Sequence, residues 1–166
     1  MNLPTVALSI RQPWAWAIVA GFKDVENRST FAVTKGSMQP RLIAVHAAKG
    51  MTRDEYEDAA DFMAHLGVEC PRPDDLVRGA VIGGVTVKAV VKSFPSRWFF
   101  GPRGLVLADA YQVDPIPATG ALGYFEWRIG GELSAPLPWM RAWPDKRLRQ
   151  MVVGTEPQKA ALPLFE

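Results

Sequence analysis

Ser9-Ile10-Arg11-Gln12-Pro13-Trp14-Ala15-Trp16-Ala17-Ile18-Val19-Ala20-Gly21-Phe22-Lys23-Asp24-Val25-Glu26-Asn27-Arg28 is the stretch on which the fold turns. Pro13 suits the first turn of a helix, where its missing N–H is not needed. Trp14 to Ala20 continue that helix, and Gly21 is fit to end it in a left-handed conformation. Upstream, Thr5 to Ile10 is a short apolar run of strand type. Downstream, Lys23 to Arg28 is polar and reads as extended. Strict alternation puts Glu26 and Arg28 on one face and Lys23 opposite Glu26, so gathering all three requires a bend at Asp24 or Val25. From spacing alone the pair Glu26–Arg28 reads as a surface ion pair.

Working outward, Arg41 to Ala47 carries Leu42, Ile43 and Val45 and reads as a buried strand. Thr52-Arg53-Asp54-Glu55 is a capping box, in which the Thr52 hydroxyl accepts from the Glu55 N–H and the carboxylate reaches back. Tyr56, Ala59, Ala60, Met63 and Leu66 then fall on one helical face, and Gly67, Pro71 and Pro73 close the helix. From Gly79 the period becomes two. Val81, Gly83, Val85, Val87, Ala89 and Val91 oppose Thr86, Lys88 and Lys92, the pattern of a half-buried strand. Strands over Gly104 to Val113 and Leu122 to Ile129 follow, divided by turn chemistry at Asp114-Pro115 and Thr119-Gly120. Pro136, Pro138 and Pro144 make the chain after Gly131 irregular until Asp145 to Val152, which reads as a short basic helix. The tail from Gly154 reads as loosely held. Several strands with two helices, and no βαβ alternation, indicate an α+β or barrel fold rather than a doubly wound sheet.

The 166 residues suffice for one domain with a core of useful size. With 48% apolar and 22% charged residues the composition is globular rather than disordered. No apolar run approaches the roughly 20 residues that span a bilayer, and Met1 to Leu8 lacks the basic and apolar regions of a signal peptide. The expected setting is cytoplasmic, with no membrane partner. Cys70 stands alone, and with only His46 and His65 beside it no zinc spacing is present. No metal or other cofactor is expected. Cys70, without a basic or helix-N-terminal context, reads as inert. A net charge of +2 does not announce a nucleic-acid protein. Its distribution is uneven: Asp54, Glu55, Glu57, Asp58 and Asp61 cluster in one segment, and Arg141, Lys146, Arg147 and Arg149 in another. Each segment alone reads as a solvated helix face.

Gly21-x-Lys23-x-x-Glu26-x-Arg28 resembles the signature of the ASCH domains, a branch of the PUA-like superfamily of small β-barrels. Leu8-Ser9-Ile10-x-Gln12-Pro13-Trp14-Ala15, Val45-His46-Ala47, Gly79-x-Val81-Ile82-Gly83 and Trp98-Phe99-x-Gly101-Pro102-x-Gly104 resemble the longer bacterial and eukaryotic members. The pieces run in order from Leu8 to about Trp127. The resemblance implies an ASCH-like domain over residues 1–130, an α+β fold built as a small open β-barrel with helices at its side and end. Residues 131–166 form a C-terminal extension outside the pattern, expected to pack in part on the same domain.

The resemblance further implies a polar cleft lined by the signature, binding RNA or a nucleotide or nucleoside. Residue chemistry agrees. Arg11, Lys23, Arg28 and Lys49 can neutralise phosphate. Trp14 or Trp98 can stack a base, while Gln12 and Glu26 can hydrogen-bond to a base edge. Most of the six tryptophans serve packing, Trp16 foremost because it points to a different helix face from Trp14. His46, at the end of an apolar strand, is as readily a hydrogen-bonded structural residue as a ligand contact.

Two other readings stand beside binding. Some ASCH relatives are hydrolases, either ribonuclease-like or amidohydrolases acting on acetylcytidine through a lysine-activated threonine. Lys23 matches that lysine, but Glu26 occupies the threonine's place and Thr30 is out of register, which leaves Lys23 and Glu26 as a candidate metal-independent acid–base pair. The third reading is a protein-interaction module in transcription or RNA processing.

Overall fold

Residues 2–144 are described by the computed structural model, and they form an α+β fold around one curled six-stranded sheet. The basic helix expected from Asp145 to Val152, the tail from Gly154 and the basic side chains Lys146, Arg147 and Arg149 lie outside the described residues.

The elements follow in chain order as β1 (Val6–Ile10), α1 (Trp14–Val19), β2 (Val25–Arg28), α2 (Thr30–Lys35), β3 (Arg41–Ala47) and α3 (Arg53–His65). A 3-10 turn at Pro73–Asp75 leads to β4 (Ala80–Val91), β5 (Arg103–Pro117), β6 (Tyr124–Glu126) and α4 (Pro138–Arg141). The strands lie in the order β2-β5-β4-β3-β1-β6. β1 and β3 run parallel, and the other neighbours run antiparallel. Although β2 is an edge strand and β1 lies near the far edge, Arg28 Nη2 on β2 donates to the Ser9 carbonyl on β1 at 3.1 Å. A flat sheet cannot make that contact. The sheet curls into an open half-barrel, and the gap between β1 and β2 is its mouth.

Register shifts in β4 between Val81 and Gly83, Gly84 and Thr86, and Val87 and Ala89 supply the curvature. The concave face packs Leu8, Ile10, Ile18, Val45, Val85 and Leu105 around α1. The opposite face carries a thinner layer of Ala7, Ala44, Val81 and Ala118 under Phe125 and Trp127. Because both faces are covered, Ala80 to Val85 is buried throughout rather than alternately. The expectation of a half-buried strand holds only for its later residues. The turn expected at Asp114-Pro115 is replaced by continuous strand to Pro117. Beyond Val106, β5 has lost β2 as a neighbour, so that side is an open edge where a proline removes no ladder bond.

The capping box forms as read, with Glu55 N donating to Thr52 Oγ1 and Thr52 N to the Glu55 carboxylate. It starts α3, whose Tyr56, Ala59 and Met63 are buried. Two aromatic-rich clusters tie the helices to the barrel. One joins Ala17, Val25, Met63 and Trp98 with Trp14, Trp16 and Phe62. The other joins Met51, Tyr56, Leu76 and Met140 with Trp16, Trp139 and Trp143. Trp16 belongs to both, a packing role. The segment after Gly131 is pinned by buried Arg78, which donates to the carbonyls of Lys49 and Ala135 and accepts from Ser134 N–H at its own carbonyl.

Candidate functional site

Gly21, at φ +86°, ends the α1 segment in the conformation its type favours. The chain turns there, and Lys23 comes before β2 rather than in it, so strict alternation does not apply to it. Lys23 Nζ lies 3.0 Å from Glu26 Oε1, and Arg28 Nη2 lies 3.0 Å from Glu26 Oε2. The three side chains meet because the chain turns at Gly21 before β2 begins, and the surface ion pair is instead a largely buried charge triad. The Lys23 side chain is 3% exposed and that of Glu26 9%. Lys23 also donates to the Val25 carbonyl.

Burial pushes the Glu26 carboxyl up, but the charges of Lys23 and Arg28 and their hydrogen bonds outweigh it, holding the group below the usual carboxylate range. Arg28 binds the Ser9 carbonyl and Glu26 through Nη2, while its buried Nε has no hydrogen-bond partner among the described residues. Such a donor normally finds an acceptor, in protein, water or ligand.

The triad floors a cleft of about 570 Å³ lined by Ser9, Arg11, Trp14, Asn27, Ser29 and Phe100 as well. Arg11 is half exposed and pairs with Glu55 on α3 at 2.7 Å. Trp14 sits edge-on to Trp98 and beside Phe62, with Lys23 Nζ 5.9 Å from its ring centre. Of the residues singled out from the sequence, Arg11, Trp14, Lys23, Glu26 and Arg28 line this cleft.

Gln12, His46, Lys49 and Trp98 do not. Gln12 is buried, its Nε2 donating to the Val77 carbonyl and its Oε1 accepting from Trp16 N–H; it braces α1. Lys49 is exposed outside the cleft. Trp98 is buried in the aromatic cluster behind the wall. The residue that its loop sends into the cleft is Phe100, 66% exposed. Sequence reasoning missed Phe100, Asn27, Ser9 and Ser29. The run Trp98-Phe99-Phe100 marked an aromatic loop without saying which ring faces out.

His46 reaches the cleft only indirectly, through Ser9. A carbonyl oxygen can only accept, so His46 Nε2, 2.7 Å from the Ala118 oxygen, carries the hydrogen. Nδ1 therefore accepts from the Ser9 hydroxyl at 2.9 Å. Burial pushes the imidazole down, the Ala118 contact opposes this, and the charge of Lys49 adds to the lowering. A lowered folded-state value means the unfolded chain binds more protons. Stability from His46 is thus complete above the ordinary value of 6.5 and is lost as pH falls below it. The urea midpoint is expected to decline as pH drops from about 7.5 to 5.5, and the decline should flatten in His46→Gln. Equal declines in both would show that another group carries the effect. Glu26 acts in a separate window, below its ordinary 4.5.

Burial pushes the Cys70 thiol up to about 12, opposed by the Tyr56 hydroxyl, which leaves it without thiolate character at neutral pH. Among the described residues no group of His, Cys, Asp and Glu is arranged to hold a metal ion, and no helix is long and apolar enough to cross a membrane.

No protein-family model and no curated protein matches the chain. Its structure is similar to crystal structures of ASCH from Zymomonas mobilis. The wild-type structure is 17% identical, with a TM-score of 0.34, over 92% of this chain and 96% of that one. Two single-residue mutants of the same protein, also 17% identical, give TM-scores of 0.37 and 0.36 over 88% and 90% of this chain and 94% and 96% of theirs. At that identity the likeness carries no residue's role to this chain.

Proposed function

We propose that the chain is an RNA- or nucleotide-binding domain of the ASCH type that its motifs resemble, with the cleft between β1 and β2 as its binding site. The observation that carries this reading is the meeting of three cations and two aromatic rings in one cleft: Arg11, Lys23 and Arg28 with Trp14 and Phe100, against Glu26 as the carboxylate among the lining residues. Cations beside one exposed ring, Phe100, and one half-buried ring, Trp14, suit a phosphate joined to a base.

The same geometry favours binding over hydrolysis. A general base must hold a proton readily, and Glu26, with each carboxylate oxygen paired to a cation, is held below the usual carboxylate range and is a weak base. Lys23 is held between Glu26 and the Val25 carbonyl, facing the Trp14 ring. The triad is a rigid charged floor from which Arg28 extends toward ligand. Single-stranded RNA should therefore bind with an affinity that falls as salt rises and that depends on Arg28, measured by fluorescence anisotropy across a salt series.

A further inference from the structure

We propose that Phe100 is the face on which one nucleobase of a single-stranded ligand stacks, and that Asn27 is the latch that holds it there; this deepens the nucleotide-binding reading and rests on it. Phe100 lies in the loop between β4 and β5. An aromatic ring gains most by burial, yet this one stays 66% exposed at the cleft. Phe62 supports it, with ring centres 5.3 Å apart and planes at 62°. Trp14 is less available. Lys23 lies over its ring, and Phe62 and Trp98 pack beside it.

The loop is held from β2. Asn27 Nδ2 donates to the Trp98 carbonyl at 2.8 Å, and its Oδ1 accepts from the Phe100 and Gly101 N–H groups at 2.7 and 3.1 Å. One short side chain thus satisfies three backbone groups around Phe100. A second tie joins Ser96 Oγ, which accepts from Trp98 N–H, to Asp24 just before β2. Gly101, at φ +73°, turns the chain immediately after the ring. Asn27 therefore belongs to the same strand as Glu26 and Arg28, and it fixes the ring relative to the charged floor. The cations argue for a base carrying phosphate rather than an apolar side chain as the occupant. Stacking reads the π-face that every base shares, so this contact is tolerant of sequence.

The test titrates a short labelled RNA of mixed sequence, and an abasic strand of equal length, into wild type, Phe100→Ala, Phe100→Trp and Asn27→Ala. Phe100→Ala should weaken binding of the base-bearing strand by about 5- to 150-fold, leave the abasic strand unchanged, and be rescued by Phe100→Trp. Asn27→Ala should lose the same preference for bases. Without any ligand, it should also speed hydrogen exchange at the Phe100 and Gly101 amides. Unaltered exchange in Asn27→Ala overturns the latch. RNA binding that ignores Phe100 overturns the stacking role while leaving the binding reading intact. Failure of the wild type to bind either strand overturns both.

Discussion

Replacing Glu26 by alanine is expected to cost the fold about 3–5 kcal/mol, the range for breaking a buried ion pair from one side. Lys23 would keep its place at 3% side-chain exposure with only the Val25 carbonyl beside it, and Arg28 would lose its carboxylate. Against a typical total of about 5–15 kcal/mol this is a large share. The double variant Lys23→Met, Glu26→Leu separates two causes. If the loss comes from an uncompensated charge, removing both members should recover much of it, since replacing a buried pair by apolar groups is often nearly neutral. Arg28, partly exposed, tolerates the loss better. Urea denaturation of Lys23→Met, Glu26→Leu and the double variant, beside Glu26→Ala, closes the cycle. Equal destabilisation of Glu26→Ala and the double variant would show that packing, rather than charge, is at stake.

Gly83→Ala should be comparably severe. A Cβ there would overlap the Tyr111 carbonyl oxygen on β5 and stand 2.8 Å from Val19 Cγ1 on α1. The obstacle is largely backbone, which cannot swing away as a side-chain tip can. Overpacking of this kind costs about 3 kcal/mol at the upper end of its usual range, a loss of roughly 10 °C in melting temperature for a chain of this size. Gly130→Ala is the matched control, because a Cβ there meets nothing within 4 Å. A Gly83→Ala protein that melted like the control would mean that β4 and β5 can separate cheaply.

The barrel was partly legible in the sequence because period-two alternation and the Thr52–Glu55 box are local signals. What escaped depends on neighbours. α2 has six residues and none buried, so no apolar period announces it; Ser29, whose side chain accepts from Ala32 N–H, was its one cue. Pro115 looked like a turn because its open strand edge is set by where β2 stops. At the site, the motif located the Lys23–Glu26–Arg28 triad, whose gathering depends on the turn at Gly21 and on β2 starting only at Val25. Gln12 and His46 are polar residues with directional chemistry, but buried backbone groups, and Ser9 for His46, engage them first. Trp98 and Phe100 are chemically alike in sequence. Which one faces the cleft is decided by three hydrogen bonds from Asn27, a residue 71 or more positions away.

The most direct test of the proposed binding site is the salt dependence of single-stranded RNA affinity in wild type, Arg28→Ala and Arg11→Ala, each verified as folded by thermal melting. Each phosphate neutralised releases counterions and contributes a slope of about −0.7 in log affinity against log salt. With Arg28 and Arg11 each neutralising one phosphate at the cleft, the wild type should show a slope of about −1.4. Each variant should bind more weakly and lose about 0.7 of that slope. An affinity for RNA that ignores salt and both arginines would contradict the account, placing any RNA contact outside the cleft between β1 and β2.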